Sequence, residues 1–221
     1  MRRLRNCSLS LAILILAGFT AAQSQAYYGA PKRSVEITPF AGYMVNTDMV
    51  GAYGYVENGD AVSYGGAIAF DVQRMMQIEV SYTYSKATSY FRSASIAYDS
   101  FDFDVAYNHI VLASVHELKP GGKVIPYGKA GLGAWWASPE SKSTNPNYQL
   151  QDTWRMMVEL ALGAKIYMSE KVGIRLEANV GMPLNFYGAG FYVGTGGSGM
   201  AANAGIPMAH FNFTGGLVIV I

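Results

Sequence analysis

Residues Met76–Ser85 read MQIEVSYTYS. Ile78, Val80, Tyr82 and Tyr84 fall on one parity, and Gln77, Glu79, Ser81 and Thr83 on the other. Successive side chains of an extended chain point to opposite faces, so this stretch reads as a strand with one apolar and one polar face.

The same alternation recurs along the chain. In Phe101–Val115, Phe101, Phe103, Val105, Tyr107, Val111 and Val115 share a parity opposite Asp102, Asp104 and Asn108. In Trp154–Met168, Trp154, Met156, Val158, Leu160, Leu162 and Ile166 oppose Arg155, Glu159, Gly163 and Lys165. In Val172–Met182, Val172, Ile174, Leu176 and Val180 oppose Arg175, Glu177 and Asn179. Four segments of lower contrast complete the set: Val35–Val45, Tyr64–Val72, Val124–Trp136 and Met208–Ile221. Pro39 and Pro126 fall inside these segments, where each predicts a bulge or a strand-end position.

The connections alternate in length. Gln73–Met75, Lys119–Gly122 and Ser169–Lys171 are short; Asn46–Ser63, Lys86–Ser100, Ala137–Thr153 and Gly188–Pro207 are long and rich in Gly, Ser, Asn and Tyr. Eight strands with this rhythm predict an all-β fold, an antiparallel up-and-down barrel whose two ends differ.

Composition narrows the class. The chain has 221 residues, 51% hydrophobic and 14% charged, with 25 glycines, 16 tyrosines and a single cysteine. This excludes a disordered chain and a disulfide scaffold. Beyond the N-terminus there is no apolar run long enough for a helical span. Residues 1–26 read as a secretory signal peptide: Arg2, Arg3 and Arg5 lead an apolar stretch, Leu9–Ala22, that closes on small residues. The remaining residues 27–221 form one barrel domain. The signal carries three arginines and no acid, so the 16 basic and 15 acidic residues become 13 and 15, a formal charge of −2. That balance gives no reason to expect a nucleic-acid partner.

Soluble and membrane barrels read this alternation in opposite senses. With phase set by the apolar residues, large aromatics on the apolar face cluster beside the long connections: Tyr43, Tyr64, Tyr84, Phe101, Phe103, Trp136, Trp154, Phe211 and Phe213. That is the girdle expected where lipid meets headgroups, so the apolar face is assigned to lipid. With an even strand number, the short turns and both termini share the periplasmic side, and the long loops face outward.

Ile37–Tyr43 (ITPFAGY), Pro126–Trp136 (PYGKAGLGAWW) and Lys171–Leu184 (KVGIRLEANVGMPL) are similar to stretches of the OmpA-like and OmpX-like outer-membrane β-barrel superfamily. The resemblance implies an eight-stranded transmembrane barrel in the outer membrane of a Gram-negative bacterium, inserted as a monomer by the barrel-assembly machinery. It carries no activity and no cofactor. The family's assembly signal ends in an aromatic residue, from which Ile221 departs. A peptidoglycan-binding domain, where family members have one, follows the barrel; here the barrel segment runs to Ile221.

The opposite face then lines the lumen. It carries Glu36, Asp71, Glu79, Asp102, Asp104, Lys129, Arg155, Glu159, Lys165, Arg175 and Glu177. Unpaired buried charge is costly, so these groups are expected to pair as a structural plug. The alternative is a narrow gated ion path. An enzyme is disfavoured: barrels resembling lipid A deacylases carry His-x-Ser-Asn, whereas His210-Phe211-Asn212 has no serine two residues after the histidine. His109 falls on the nominally apolar face, and His116 adjoins a periplasmic turn. Gly194–Gly199 matches a dinucleotide fingerprint by letter but lacks the strand and helix that chemistry needs. Tyr53, Tyr55, Tyr90, Tyr98, Tyr148, Tyr187 and Tyr192 sit in the long connections, a composition suited to adaptable contacts. Lipopolysaccharide or another surface ligand is the partner these loops would meet.

Overall fold

The computed structural model describes residues 35–51, 54–93, 101–118, 123–142, 151–194, 197–205 and 208–221. The signal-peptide assignment, residues 1–26, lies outside them. The strands are β1 (Val35–Asn46), β2 (Met49–Gly51), β3 (Gly54–Asn58), β4 (Ala61–Gln73), β5 (Met76–Ser93), β6 (Phe101–Glu117), β7 (Val124–Ser141), β8 (Thr153–Tyr167), β9 (Val172–Gly194), β10 (Gly197–Gly205) and β11 (His210–Val220). Eight of them close a ring of antiparallel neighbours, β4-β5-β6-β7-β8-β9-β11-β1 and back to β4. Closure leaves the ring without an edge, the condition for a sheet to cross lipid.

The long connections are partly strand. β5, β7 and β9 continue past Ser85, Trp136 and Met182, and β2 and β3 form a hairpin that pairs onto the upper end of β5. Within the glycine-rich Gly194–Gly199 stretch, Gly194 ends β9 and pairs with Gly197 at the start of β10, an antiparallel arrangement with no following helix among the described residues.

The outer surface is apolar. Val62, Tyr64, Ile68 and Phe70 on β4, Ile78, Val80 and Tyr82 on β5, and Leu160 and Leu162 on β8 all point outward and are exposed. The polar residues between them are buried: Ser63, Gln77, Glu79, Ser81, Thr83, Glu159 and Lys165. A water-soluble barrel would have the reverse arrangement, so the outward band is a lipid-facing surface.

Strand β6 corrects the sequence reading. Its inward residues are Phe103, Val105, Tyr107, His109, Val111, Ala113 and Val115, all buried, while Ile110 and Leu112 are exposed outside. Asp102, Asp104 and Asn108 also point outward. Both parities of this strand carry apolar residues, so contrast alone cannot set its phase. The acids that tipped the assignment lie above the membrane, where an outward polar residue meets water. His109 faces inward in regular register.

The prolines behave differently from one another. Pro126 lies near the start of β7, a strand-end position. Pro39 sits mid-strand, opposite Gly66, and the β1–β11 register runs unshifted from Glu36↔Val220 to Asn46↔His210. The expected bulge is absent there; Pro39 points outward, and the pairing resumes on either side of it.

Candidate functional site

The lumen holds two chemically distinct layers. Its half beside the short turns is ionic because β1, β5, β7, β8 and β9 each place a charged residue on the inward parity. The upper cluster centres on Lys129, whose Nζ lies 2.8 Å from Glu177, 2.8 Å from Glu159 and 3.3 Å from Glu79. Arg175 bridges Glu79 and Glu177 through its guanidinium, with Nη2 donating to Glu79 Oε1 at 3.1 Å and Nε to Glu177 Oε2 at 3.1 Å. Tyr127 donates to Glu177 Oε2 at 2.7 Å, and the Arg175 guanidinium stacks 5.0 Å from its ring centre. Glu159 has the poorest partner set. Its Oε1 touches Lys129 as an ion pair but has no aligned hydrogen bond.

The lower cluster centres on Lys165, which donates to Glu36 Oε2 at 2.5 Å and Gln77 Oε1 at 2.6 Å, with Glu117 at 3.7 Å. Gln77 donates onward to Glu36 and Asp71, and Tyr167 donates to Glu36 at 2.8 Å. Desolvating such charges is compensated only when their hydrogen bonds are met together. The space left beside the upper cluster is about 10 Å³, room for one water position.

The outer half of the lumen is aromatic and apolar. Phe103, Val105, Tyr107, Val111, Trp135, Met157 and Met208 pack with Ala61, Ala87, Ala113 and Ala137. Trp135 Nε1 donates to His210 Nε2 at 2.9 Å, and His210 Nδ1 lies 2.5 Å from Asn46 Oδ1. These partners assign the ring proton to Nδ1, since Nε2 must accept. The rings of His109 and His210 stand on strands opposite each other in the barrel and approach to 5.1 Å. Their side chains occupy the bore at that level. His109 Nε2 has no hydrogen-bond partner.

Of the residues assigned to the lumen from sequence, Glu36, Glu79, Lys129, Glu159, Lys165, Arg175 and Glu177 are buried inside. Arg155 is half-buried on the inward parity beside Trp135. Asp102 and Asp104 are not there. Asp104 instead pairs with Lys142 at 2.7 Å and accepts from Thr88 at 2.7 Å on the outer surface above the girdle. The lysine contact first, then Thr88, holds its carboxyl below the usual aspartate value.

The girdle is also revised. Tyr43, Tyr64, Trp154, Phe211 and Phe213 are exposed outward. Tyr64 meets Tyr84 at 5.2 Å, and Trp136 stacks on Trp154 at 5.0 Å. Phe103 is buried in the lumen instead, and Phe101 packs against that interior cluster. The sequence reading missed Trp135 and Tyr127. Each has the inward parity of a neighbouring lumen charge, which is the signal that finds them.

Of the loop tyrosines, Tyr55 donates to Asp48 and Tyr90 is exposed beneath Arg92. Tyr53, Tyr98 and Tyr148 lie outside the described residues, and only the backbone of Tyr187 and Tyr192 is described, in β9.

No protein-family model and no curated protein sequence matches the chain. Solved structures do. The chain is similar to the outer membrane protein OprG from Pseudomonas aeruginosa, with a TM-score of 0.57 and 10% identity over 86% of this chain and 95% of that one. It is similar to Neisserial surface protein A, with a TM-score of 0.51 and 13% identity over 87% and 99%. For the outer membrane protein AlkL, solved in lipid bilayers, the values are 0.50 and 13% over 89% and 94%. The likeness at these identities is one of fold: the chain is an eight-stranded barrel of the kind found in small outer-membrane proteins.

Proposed function

We propose that this protein is a plugged barrel of the Gram-negative outer membrane whose role is structural and surface-interacting. One observation carries the reading: Lys129, Lys165 and Arg175 are each fully engaged by carboxylates in the closed interior. Above them the aromatic layer fills the bore. A lumen so occupied leaves the outer hairpins as the part of the molecule that meets other partners, lipopolysaccharide among them. In planar bilayers the purified protein should give no steady large conductance. A stable open channel of porin size would reject the plug. Removal of the β2–β3 hairpin should then abolish binding to lipopolysaccharide or to cells while the barrel still inserts.

A small gated channel is the second reading, favoured by one feature. Lys129 is shared among three carboxylates, so its partners can exchange without leaving it unpaired. Brief, low-conductance openings that change on Lys129→Gln would support it.

A further inference from the structure

The upper ionic cluster is not charge-balanced. Glu79, Glu159 and Glu177 face two cations, Lys129 and Arg175, in the closed interior. The other cations on the inward parity of β8 stand away from it. Arg155 lies four residues above Glu159, about 13 Å along an extended strand. Lys165 lies six residues below, about 20 Å along the strand, and is engaged by Glu36. One carboxylate charge is left over, and a buried charge is strongly destabilising unless a counter-charge meets it.

Geometry marks where that counter-charge would sit. Glu159 is 4% exposed, and its Oε1 meets Lys129 as an ion pair at 2.8 Å with no aligned hydrogen bond. Beside it lies the cavity of about 10 Å³. The walls of that cavity include Ser81 and Thr83 on β5, Asn179 on β9 and Thr214 on β11, side chains that carry neutral oxygens. Asn179 donates through Nδ2 to Glu177 Oε1 at 3.3 Å, which leaves its carbonyl oxygen as a lone-pair donor. Lys129 and Arg175 also border the space, but Glu79 and Glu177 take up their charges.

This donor set selects its ligand by charge, hardness and size. A water would fill the space and leave the surplus charge unmet. All the available donors are oxygens, which suit a hard cation. Among the described residues no three carboxylate, imidazole or thiolate groups converge on a metal position. One carboxylate with neutral oxygens matches a single positive charge, and the volume admits a bare ion but neither a hydrated nor an organic one.

We infer that this cavity binds a dehydrated alkali cation, with sodium as the probe, held by Glu159 and the neutral oxygens around it. The ion balances the surplus carboxylate and ties β8 to the facing walls. Because the site is enclosed, the ion enters as the barrel folds, so its binding energy adds to folding stability. The inference goes beyond the plugged-lumen reading. A conducting barrel could hold the same ion, and a plugged one could lack it, so conductance and ion binding fail separately.

The test is equilibrium unfolding of the full chain in detergent, at mildly alkaline pH, in sodium chloride or in choline chloride of equal ionic strength. At a sodium concentration roughly ten times the dissociation constant, the folding equilibrium constant of the wild type should rise about elevenfold over choline, and the effect should saturate. Glu159→Gln has no surplus charge and should unfold alike in the two salts. Ser81→Ala with Thr83→Val keeps the charge but removes two oxygens, and should move the sodium titration to about tenfold higher concentration, the scale of one lost polar contact. Heat-modifiable migration on a gel confirms folding of each variant; if Glu159→Gln does not fold, the double variant carries the site test. Equal stability of the wild type in the two salts overturns the proposal, as does a sodium effect that persists in Glu159→Gln or is unmoved in the double variant. A wild type stabilised by acid in choline and never by sodium would also overturn it, since a proton on the surplus carboxylate would then be the counter-charge. Failure of the wild type to fold in detergent at all would count against the membrane barrel, a different result from any of these.

Discussion

Trp135 donates its indole N–H to Nε2 of His210 across the lumen, joining positions 75 residues apart at 2.9 Å. Both groups are buried, and the bond fixes the histidine tautomer through Asn46. Trp135→Phe keeps the ring but removes the donor, leaving a buried acceptor unsatisfied. We expect a loss of about 1–3 kcal/mol, measured as a lower denaturant midpoint in detergent or vesicles. Trp136 and Trp154 face outward, so the variant should also lose only the shielded component of tryptophan fluorescence.

The upper ionic cluster sets three glutamates against two cations, Lys129 and Arg175. Removing a cation and removing the surplus carboxylate should therefore act in opposite senses. Lys129→Met strands charge in the interior and should destabilise by about 3–5 kcal/mol. Glu159→Gln removes the most weakly partnered carboxylate and should be neutral or stabilising. Equilibrium unfolding of the two variants, side by side, checks the order; the reverse order would refute the partner assignment.

His109 is buried with an unpartnered Nε2 among Tyr107, Trp135 and His210. Most core substitutions destabilise. His109→Leu should be an exception, matching or exceeding the wild type in unfolding midpoint, because it replaces an unsatisfied polar atom by an apolar one. A loss above about 2 kcal/mol, the scale of a broken buried hydrogen bond, would show that the imidazole has a partner after all.

Asp104 gives a pH-dependent prediction above the girdle. Its carboxyl is held below the usual value by Lys142 and Thr88. A depressed carboxylate contributes stability that is complete above the unfolded pKa and is lost as pH falls through the lower folded one. The outer β5–β6–β7 wall should thus loosen only in acid, below about pH 4. The effect is at most about 1 kcal/mol for so exposed a group. Asp104→Asn should remove that acid-dependent component. Hydrogen exchange of the backbone around Lys86 and Lys142 reads it, and identical acid profiles in the two proteins would exclude the role.

What the sequence made legible depended on contrast between faces. On β5, β8 and β9, Glu79, Glu159, Lys165, Arg175 and Glu177 interrupt apolar neighbours at period two, and the inward face follows. On β6 the outer lumen is itself apolar, so Val111 inside and Leu112 outside look alike, and Phe103 was assigned to the girdle. Nor could periodicity match partners across the bore. That Lys165 meets Glu36 depends on strand stagger, which no single strand encodes.

That stagger has a consequence for how the barrel is made. Glu36 on β1 and Lys165 on β8 lie 129 residues apart. Their contact forms only when early and late parts of the chain stand at the correct height. A two-residue slip of β1 keeps every side chain on its proper face and satisfies the apolar band equally well. It would, however, present Thr38 to Lys165 and leave the ammonium with Glu117 at 3.7 Å as its carboxylate partner. The ionic layer thus distinguishes strand heights that hydrophobic patterning leaves equivalent, and a slipped barrel should be less stable than the native one.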